Sequence, residues 1–101
     1  MTPAARVAAA AEILDVILGG EPAEKALTGW ARGSRYAGSK DRASVRDHVF
    51  QALRCMRSYA ALGGGEDVTG RSLMLGAMRA EGADLASIFF GEGHAPAPLS
   101  E

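Results

Sequence analysis

Apolar side chains recur every three or four residues along this 101-residue chain, and glycine closes each segment that shows the pattern. That spacing places the apolar side chains on one side of an α-helix. Residues that favour strands are scarce, since only eleven are β-branched and none lie in an alternating run. The length is that of one domain. The sequence therefore predicts an all-α fold, a compact bundle of about five helices.

Two helices are predicted before residue 34. Thr2 can accept a free backbone N–H at the start of the first helix, and Pro3 suits its first turn because that position needs no donor. The glycine pair at positions 19 and 20 should end this helix. Pro22 marks the start of a second, shorter amphipathic helix, which should end near Gly33.

The longest helix is predicted from about Lys40 to Leu62, because neither proline nor glycine interrupts this stretch. Ser39 or Asp41 is placed to cap its start. At 100° per residue, one face should form part of the core, and it contains Val45, Val49, Ala52, Leu53, Met56 and Ala60. The border of that face contains His48, Cys55 and Tyr59.

The remaining segments are shorter. The glycines at 63–65 predict a flexible connector, after which Thr69 can cap a fourth helix that Gly82 closes. Asp84 can cap a fifth helix through Phe89. We therefore divide the chain into a helical domain at 1–90 and a tail or linker at 91–101, where prolines and glycines oppose helix formation.

Several classes of function find no support in the composition. The single cysteine, Cys55, has no internal disulfide partner, and the two histidines lie too far apart in sequence for metal-ligand spacing. His48 and Cys55 lack an oriented third partner, so we predict no catalytic residues and no metal site. Neither a membrane span nor a signal peptide is apparent, and we expect a cytoplasmic protein.

Positive charge is concentrated in one segment. Residues 32–57 hold seven of the eleven basic side chains but two of the twelve acids, which leaves this segment at +5 in a chain whose net charge is -1. A local excess of one sign attracts polyanions whatever the total charge. The segment therefore points to nucleic acid.

A basic stripe is predicted on the long helix. Arg46, Phe50, Arg54 and Arg57 fall within an arc of about 80° at 100° per residue. Arginines at this spacing could follow RNA phosphates, and Phe50 could stack on an unpaired base. Alternatively, Phe50 packs on a neighbouring helix and the arginines are solvated or ion-paired.

The loop before this helix is a second candidate. Arg35, Tyr36 and Lys40 lie near the helix N-terminus, where free N–H groups favour an anion, and we include Arg35 and Lys40 in the predicted RNA-binding set. Asp41 is predicted to be a cap and not an acid catalyst. Arg42 and Arg6 lie near apolar faces, and each is predicted to pair with a carboxylate or to cap helix carbonyls.

Most of residues 4–62 resemble a known family. The pattern consists of Asp41-Arg42, Val45, Val49 and Leu53-Arg54, together with Arg6 and Ala10 of the first helix. In these features the chain is similar to the NusB-like domain at the N-terminus of RsmB-type ribosomal RNA cytosine methyltransferases. The resemblance implies a NusB-like bundle that helps to hold ribosomal RNA for a C-terminal methyltransferase domain.

In that family, a separate Rossmann-like domain binds S-adenosylmethionine and supplies the catalytic cysteines. We predict no cofactor in this chain, and Cys55 matches neither catalytic cysteine. Two alternatives remain open. One is a stand-alone NusB-like antitermination factor, and the other is a protein-interaction module that docks through the surface around Leu73, Met78 and Phe90.

Overall fold

The computed structural model describes residues 1–99 as a bundle of five α-helices, with no strand in that range. The helices are α1 (Pro3–Leu18), α2 (Ala23–Gly33), α3 (Ser39–Arg54), α4 (Met56–Gly63) and α5 (Gly70–Glu81). The predicted all-α class is confirmed. Within residues 1–99, no helix has both the length and the apolar character that crossing a bilayer would require.

Side chains close to the helix ends cap them as predicted. The Thr2 hydroxyl accepts the Ala5 N–H at 3.0 Å, and the glycine pair ends α1. Thr69 and Ser72 cap α5 reciprocally, because each hydroxyl accepts the other residue's backbone N–H, at 3.0 and 2.9 Å. Gly82 ends α5 in the left-handed region at φ 70°, which glycine adopts without steric cost.

Of the two residues predicted to cap the start of α3, Asp41 does so and Ser39 does not. Ser39 is the first helical residue and does not cap, since Gly38 occupies the N-cap position. Asp41, in the first turn, reaches back and accepts the Gly38 N–H at 3.0 Å. A carboxylate in this position satisfies a free N–H and also interacts favourably with the helix dipole.

The prediction of one helix from Lys40 to Leu62 was wrong. The helix breaks at Cys55, whose φ of −110° and ψ of 27° lie outside helical values. Before the break, α3 packs mainly along α1, whereas α4 packs along α5. Because α3 and α4 pack on different helices, the chain bends between them. The bend occurs although the sequence there contains no helix-breaking residue.

The predicted fifth helix at the end of the domain was also wrong. Its residues form only a 3-10 turn, Leu85–Ser87, in which Asp84 accepts the Ala86 N–H at 3.2 Å. Few residues separate Asp84 from Gly91, and so short a helix gains too few hydrogen bonds to offset its nucleation cost. Burial of Ile88 and Phe89 holds the turn in place.

Helix α5 lies at the centre of the core. Every residue from Leu73 to Met78 is buried, and α1, α3 and α4 pack around them. Val45, Val49 and Ala52 of the predicted core face are fully buried. The other members of that face, Leu53, Met56 and Ala60, are partly buried against the same core.

Two glycines allow α5 to approach its neighbours closely. A Cβ at Gly76 would lie 1.9 Å from the Tyr59 carbonyl oxygen of α4, and a Cβ at Gly70 would lie 1.9 Å from the Ala11 oxygen of α1. These distances are far below any real contact. The backbones touch directly, so neither position has room for a side chain.

Residues 91–99 fold back onto the bundle beside α1 and α5. The Gly91 N–H donates to the Pro96 carbonyl at 2.8 Å, and the Arg71 guanidinium donates to the Pro98 carbonyl at 2.9 Å. Leu99 is partly buried against the core. The remainder of the predicted tail, residues 100 and 101, lies outside the described residues.

Candidate nucleic-acid interface

The predicted RNA-binding residues lie in the α2–α3 loop, on α3 and on α4. All of the basic members are exposed. We call them the cationic path, which consists of Arg35, Lys40, Arg46, Arg54 and Arg57. Lys40 and Arg54 lie about 21 Å apart along the helix axis at 1.5 Å per residue. The path is therefore long enough to meet several phosphates.

The middle of the path is neutralised by an acid on another helix. Both terminal nitrogens of Arg46 donate to the Glu24 carboxylate of α2, at 3.1 and 2.5 Å. This hydrogen bonding lowers the pKa of Glu24 and raises the pKa of Arg46. The ion-paired alternative therefore holds for Arg46. Sequence reasoning missed Glu24, which lies 22 residues away from its partner.

Phe50 packs against the rest of the protein, which was the predicted alternative to stacking on a base. It is partly buried and packs against the core. The Arg46 guanidinium lies over its ring, 4.9 Å from the centroid, which is the geometry of a cation–π contact. Arg46 therefore covers the ring face that a base would need.

The rest of the path has no close ion pair, but acidic groups lie nearby, since Arg54 lines a cleft together with Asp47 and Glu81. Arg54 donates to the neutral Gln51 side chain at 2.7 Å. Within residues 1–99, no carboxylate lies within ion-pair distance of Arg35, Lys40, Arg54 or Arg57. The break at Cys55 moves Arg57 onto α4, so the basic residues do not form the single-helix stripe that the sequence predicted.

Arg6 and Asp41 form an ion pair that joins α1 to the start of α3. Two guanidinium nitrogens of Arg6 donate to one Asp41 oxygen, at 3.0 and 2.8 Å. These bonds, followed by the Gly38 N–H, lower the pKa of Asp41 from 3.8 to about 2. Asp41 therefore serves a structural role, as predicted, and Arg6 is its carboxylate-bound partner.

Arg42 fixes the loop before α3. Its guanidinium donates to the Ala37 carbonyl at 2.8 Å. Ser34 and Ala37 are buried, whereas Arg35 and Tyr36 between them are exposed. The loop therefore presents a basic and an aromatic side chain from an anchored backbone.

Replacement of Asp41 by asparagine should make stability less sensitive to acid. The carboxylate's pKa is lowered on folding, so its contribution is present above about pH 4 and is lost as the pH falls toward 2. In Asp41→Asn, the unfolding free energy should be lower at neutral pH and should change less over that acid range. Urea unfolding followed by circular dichroism at several pH values measures both effects.

Asp67→Asn, at an exposed position in the α4–α5 loop, is the matched control. Its unfolding free energy at neutral pH should remain within about 0.5 kcal/mol of wild type. If Asp41→Asn kept the wild-type acid dependence, the Arg6 pair would contribute nothing to folding.

His48 and Cys55 lie at the edge of the core. Burial lowers the pKa of His48, and the Cys55 sulfur accepts a hydrogen bond from the Gln51 side chain at 3.4 Å. Within residues 1–99, no three His, Cys, Asp or Glu side chains are grouped so that they could hold a metal ion.

Comparison with protein-family models, with curated proteins and with solved structures found no match for this chain. The NusB-like identity therefore stays a prediction.

Proposed function

We propose that this chain binds RNA through the cationic path. The observation that carries the proposal is the exposure of Arg35, Lys40, Arg54 and Arg57 with no carboxylate partner among residues 1–99. A polyanion that contacts exposed cations of this kind releases its own condensed counterions, which favours binding and makes it depend on salt. Phosphate contacts of this kind fix the position of RNA without reading its sequence.

The proposed biological role follows the family resemblance. We infer an accessory domain that positions ribosomal RNA for a methyltransferase domain on a separate polypeptide segment. S-adenosylmethionine and the methyl transfer belong to that other domain. Such a role would place the chain in the cytoplasm.

The surface that we named for protein docking is not available as predicted. Leu73 and Met78 belong to the core, with exposures of 0% and 3%. Only Phe90 of that set is exposed, at 41%. A single exposed aromatic makes no docking face, so the protein-interaction module loses the surface that was predicted for it.

A salt titration tests the proposal. Wild-type chain should bind a fluorescent ribosomal RNA hairpin, and anisotropy should show affinity falling steeply as KCl increases. Engagement of the four unpaired cations predicts a slope of about −3 for log affinity against log salt. An absence of binding at low salt, or an affinity independent of salt, would exclude the cationic path as an RNA site.

A further inference from the structure

Tyr36 belongs to the same loop as Arg35 of the cationic path, but it was not included in the predicted RNA-binding set. It follows Arg35 in the anchored α2–α3 loop, and its side chain is 54% exposed. The backbone on both sides is held, because Ser34 and Ala37 are buried. An aromatic ring held at the surface beside cationic groups has the features of a stacking position for an unpaired base.

One face of the Tyr36 ring is already occupied. The imidazole of His94, from the segment 91–99, stacks on it with ring centroids 4.9 Å apart and ring planes only 11° from parallel. A flat heteroaromatic ring in this position occupies the same space that a nucleobase would need. The contact therefore resembles base stacking formed within the chain.

Phe50, the aromatic named from the sequence, is less suited to this role. It is partly buried, and the guanidinium of Arg46, which Glu24 holds in place, covers its ring. A base would have to displace an ion-paired arginine to reach Phe50. At Tyr36 it would have to displace only His94.

The segment that carries His94 is joined to the bundle by few polar contacts. Two of its hydrogen bonds are internal, from Gly91 to Pro96 and from Ala95 to Glu92. The Arg71 donation to Pro98 is its one described hydrogen bond to the helices within residues 1–99. A cleft of about 370 Å³ lies where this segment meets α1 and α5, and Leu99 is the side chain at its end that packs against the core.

We propose that Tyr36 is the base-stacking residue of the cationic path and that His94 occupies its ring face until an unpaired RNA base replaces it. This inference rests on the proposed RNA binding and adds a ligand group to it, an unpaired nucleobase. The segment 91–99 should then compete with RNA that has unpaired bases, because those bases need the Tyr36 ring face. It should compete less with RNA whose bases are all paired.

The test compares two RNA hairpins that differ only in their loops. One loop contains adenosines, and the other has the same phosphates with abasic sugars. In the full chain, His94→Ala should tighten binding to the adenosine loop by about two- to tenfold, because the competing stack is removed. Tyr36→Ala should weaken it by about 5- to 100-fold. Neither change should alter affinity for the abasic loop.

Conservative variants separate stacking from a loss of structure. His94→Tyr keeps an aromatic ring over Tyr36 and should bind like wild type, and Tyr36→Phe should also keep wild-type affinity. Thermal unfolding of each variant identifies any that is misfolded. The His94 ring protons, shifted upfield by the Tyr36 ring in the RNA-free chain, should move downfield in Tyr36→Leu.

The outcomes distinguish the two proposals. If both hairpins bind in a salt-dependent manner but His94→Ala and Tyr36→Ala leave the affinities unchanged, the stacking role is overturned while RNA binding stands. Unshifted His94 ring protons would also overturn the His94 contact. If neither hairpin binds to wild type or to any variant, both proposals fail together.

Discussion

Replacement of Gly76 by alanine is expected to lower the free energy of unfolding by about 3 kcal/mol or more. The added Cβ would lie 1.9 Å from the Tyr59 carbonyl oxygen and 2.6 Å from its carbonyl carbon. Both are backbone atoms of α4, so no side chain can rotate away and the two helices must separate. Separation would open the centre of the core, where Met74 and Leu73 are fully buried. Urea unfolding followed by circular dichroism measures the loss.

Helix propensity alone predicts the opposite result, since alanine in a helix interior is more favourable than glycine by about 1 kcal/mol. Gly29→Ala is the matched control, because Gly29 is an exposed residue of α2 with nothing near its missing Cβ. That variant should be as stable as wild type or more stable by about 0.4–1 kcal/mol. If both glycine variants were stabilised, α4 and α5 could not be as close as described.

Neutralising the unpaired cations is expected to weaken binding of an RNA hairpin by about 100-fold at low salt. The variant combines Lys40→Gln, Arg54→Gln and Arg57→Gln, which removes three charges that have no carboxylate partner within residues 1–99. The slope of log affinity against log salt should fall by about one for each lost phosphate contact. Fluorescence anisotropy across a KCl series gives both quantities.

Two further variants control this measurement. Lys25→Gln removes an exposed charge of α2 that is paired with Glu21, outside the cationic path, and should leave the salt slope unchanged. Glu24→Gln frees Arg46 from its ion pair and should raise affinity by about two- to fivefold. If the triple variant bound like wild type, RNA would have to bind elsewhere or not at all.

The ends of most helices could be predicted because the signals are local. Thr2 and Thr69 cap backbone groups only three residues away, and Gly82 adopts a left-handed conformation that its own lack of a Cβ permits. Neighbours in sequence are neighbours in space at such positions. The core face of α3 followed equally directly from helical periodicity, since Val45 and Val49 repeat at four residues and are both fully buried.

The details of the candidate site could be predicted only in part. Exposure of the basic residues followed from their position opposite the core face. Their partners did not, because Arg46 is paired across two helices with Glu24 and Tyr36 is stacked on His94 from the far end of the chain. These distant pairs determine which cations have no ion-pair partner and which aromatic ring is accessible.

The sequence by itself determined the all-α class, the helix caps and the concentration of positive charge in residues 32–57, because propensity, capping and charge depend on nearby residues. Only the tertiary structure decided the bend at Cys55, the close contact at Gly76 and the pairing of Arg46. Each of these depends on how far apart separate helices come to lie. That distance is set by packing of the whole core, and no short stretch of sequence encodes it.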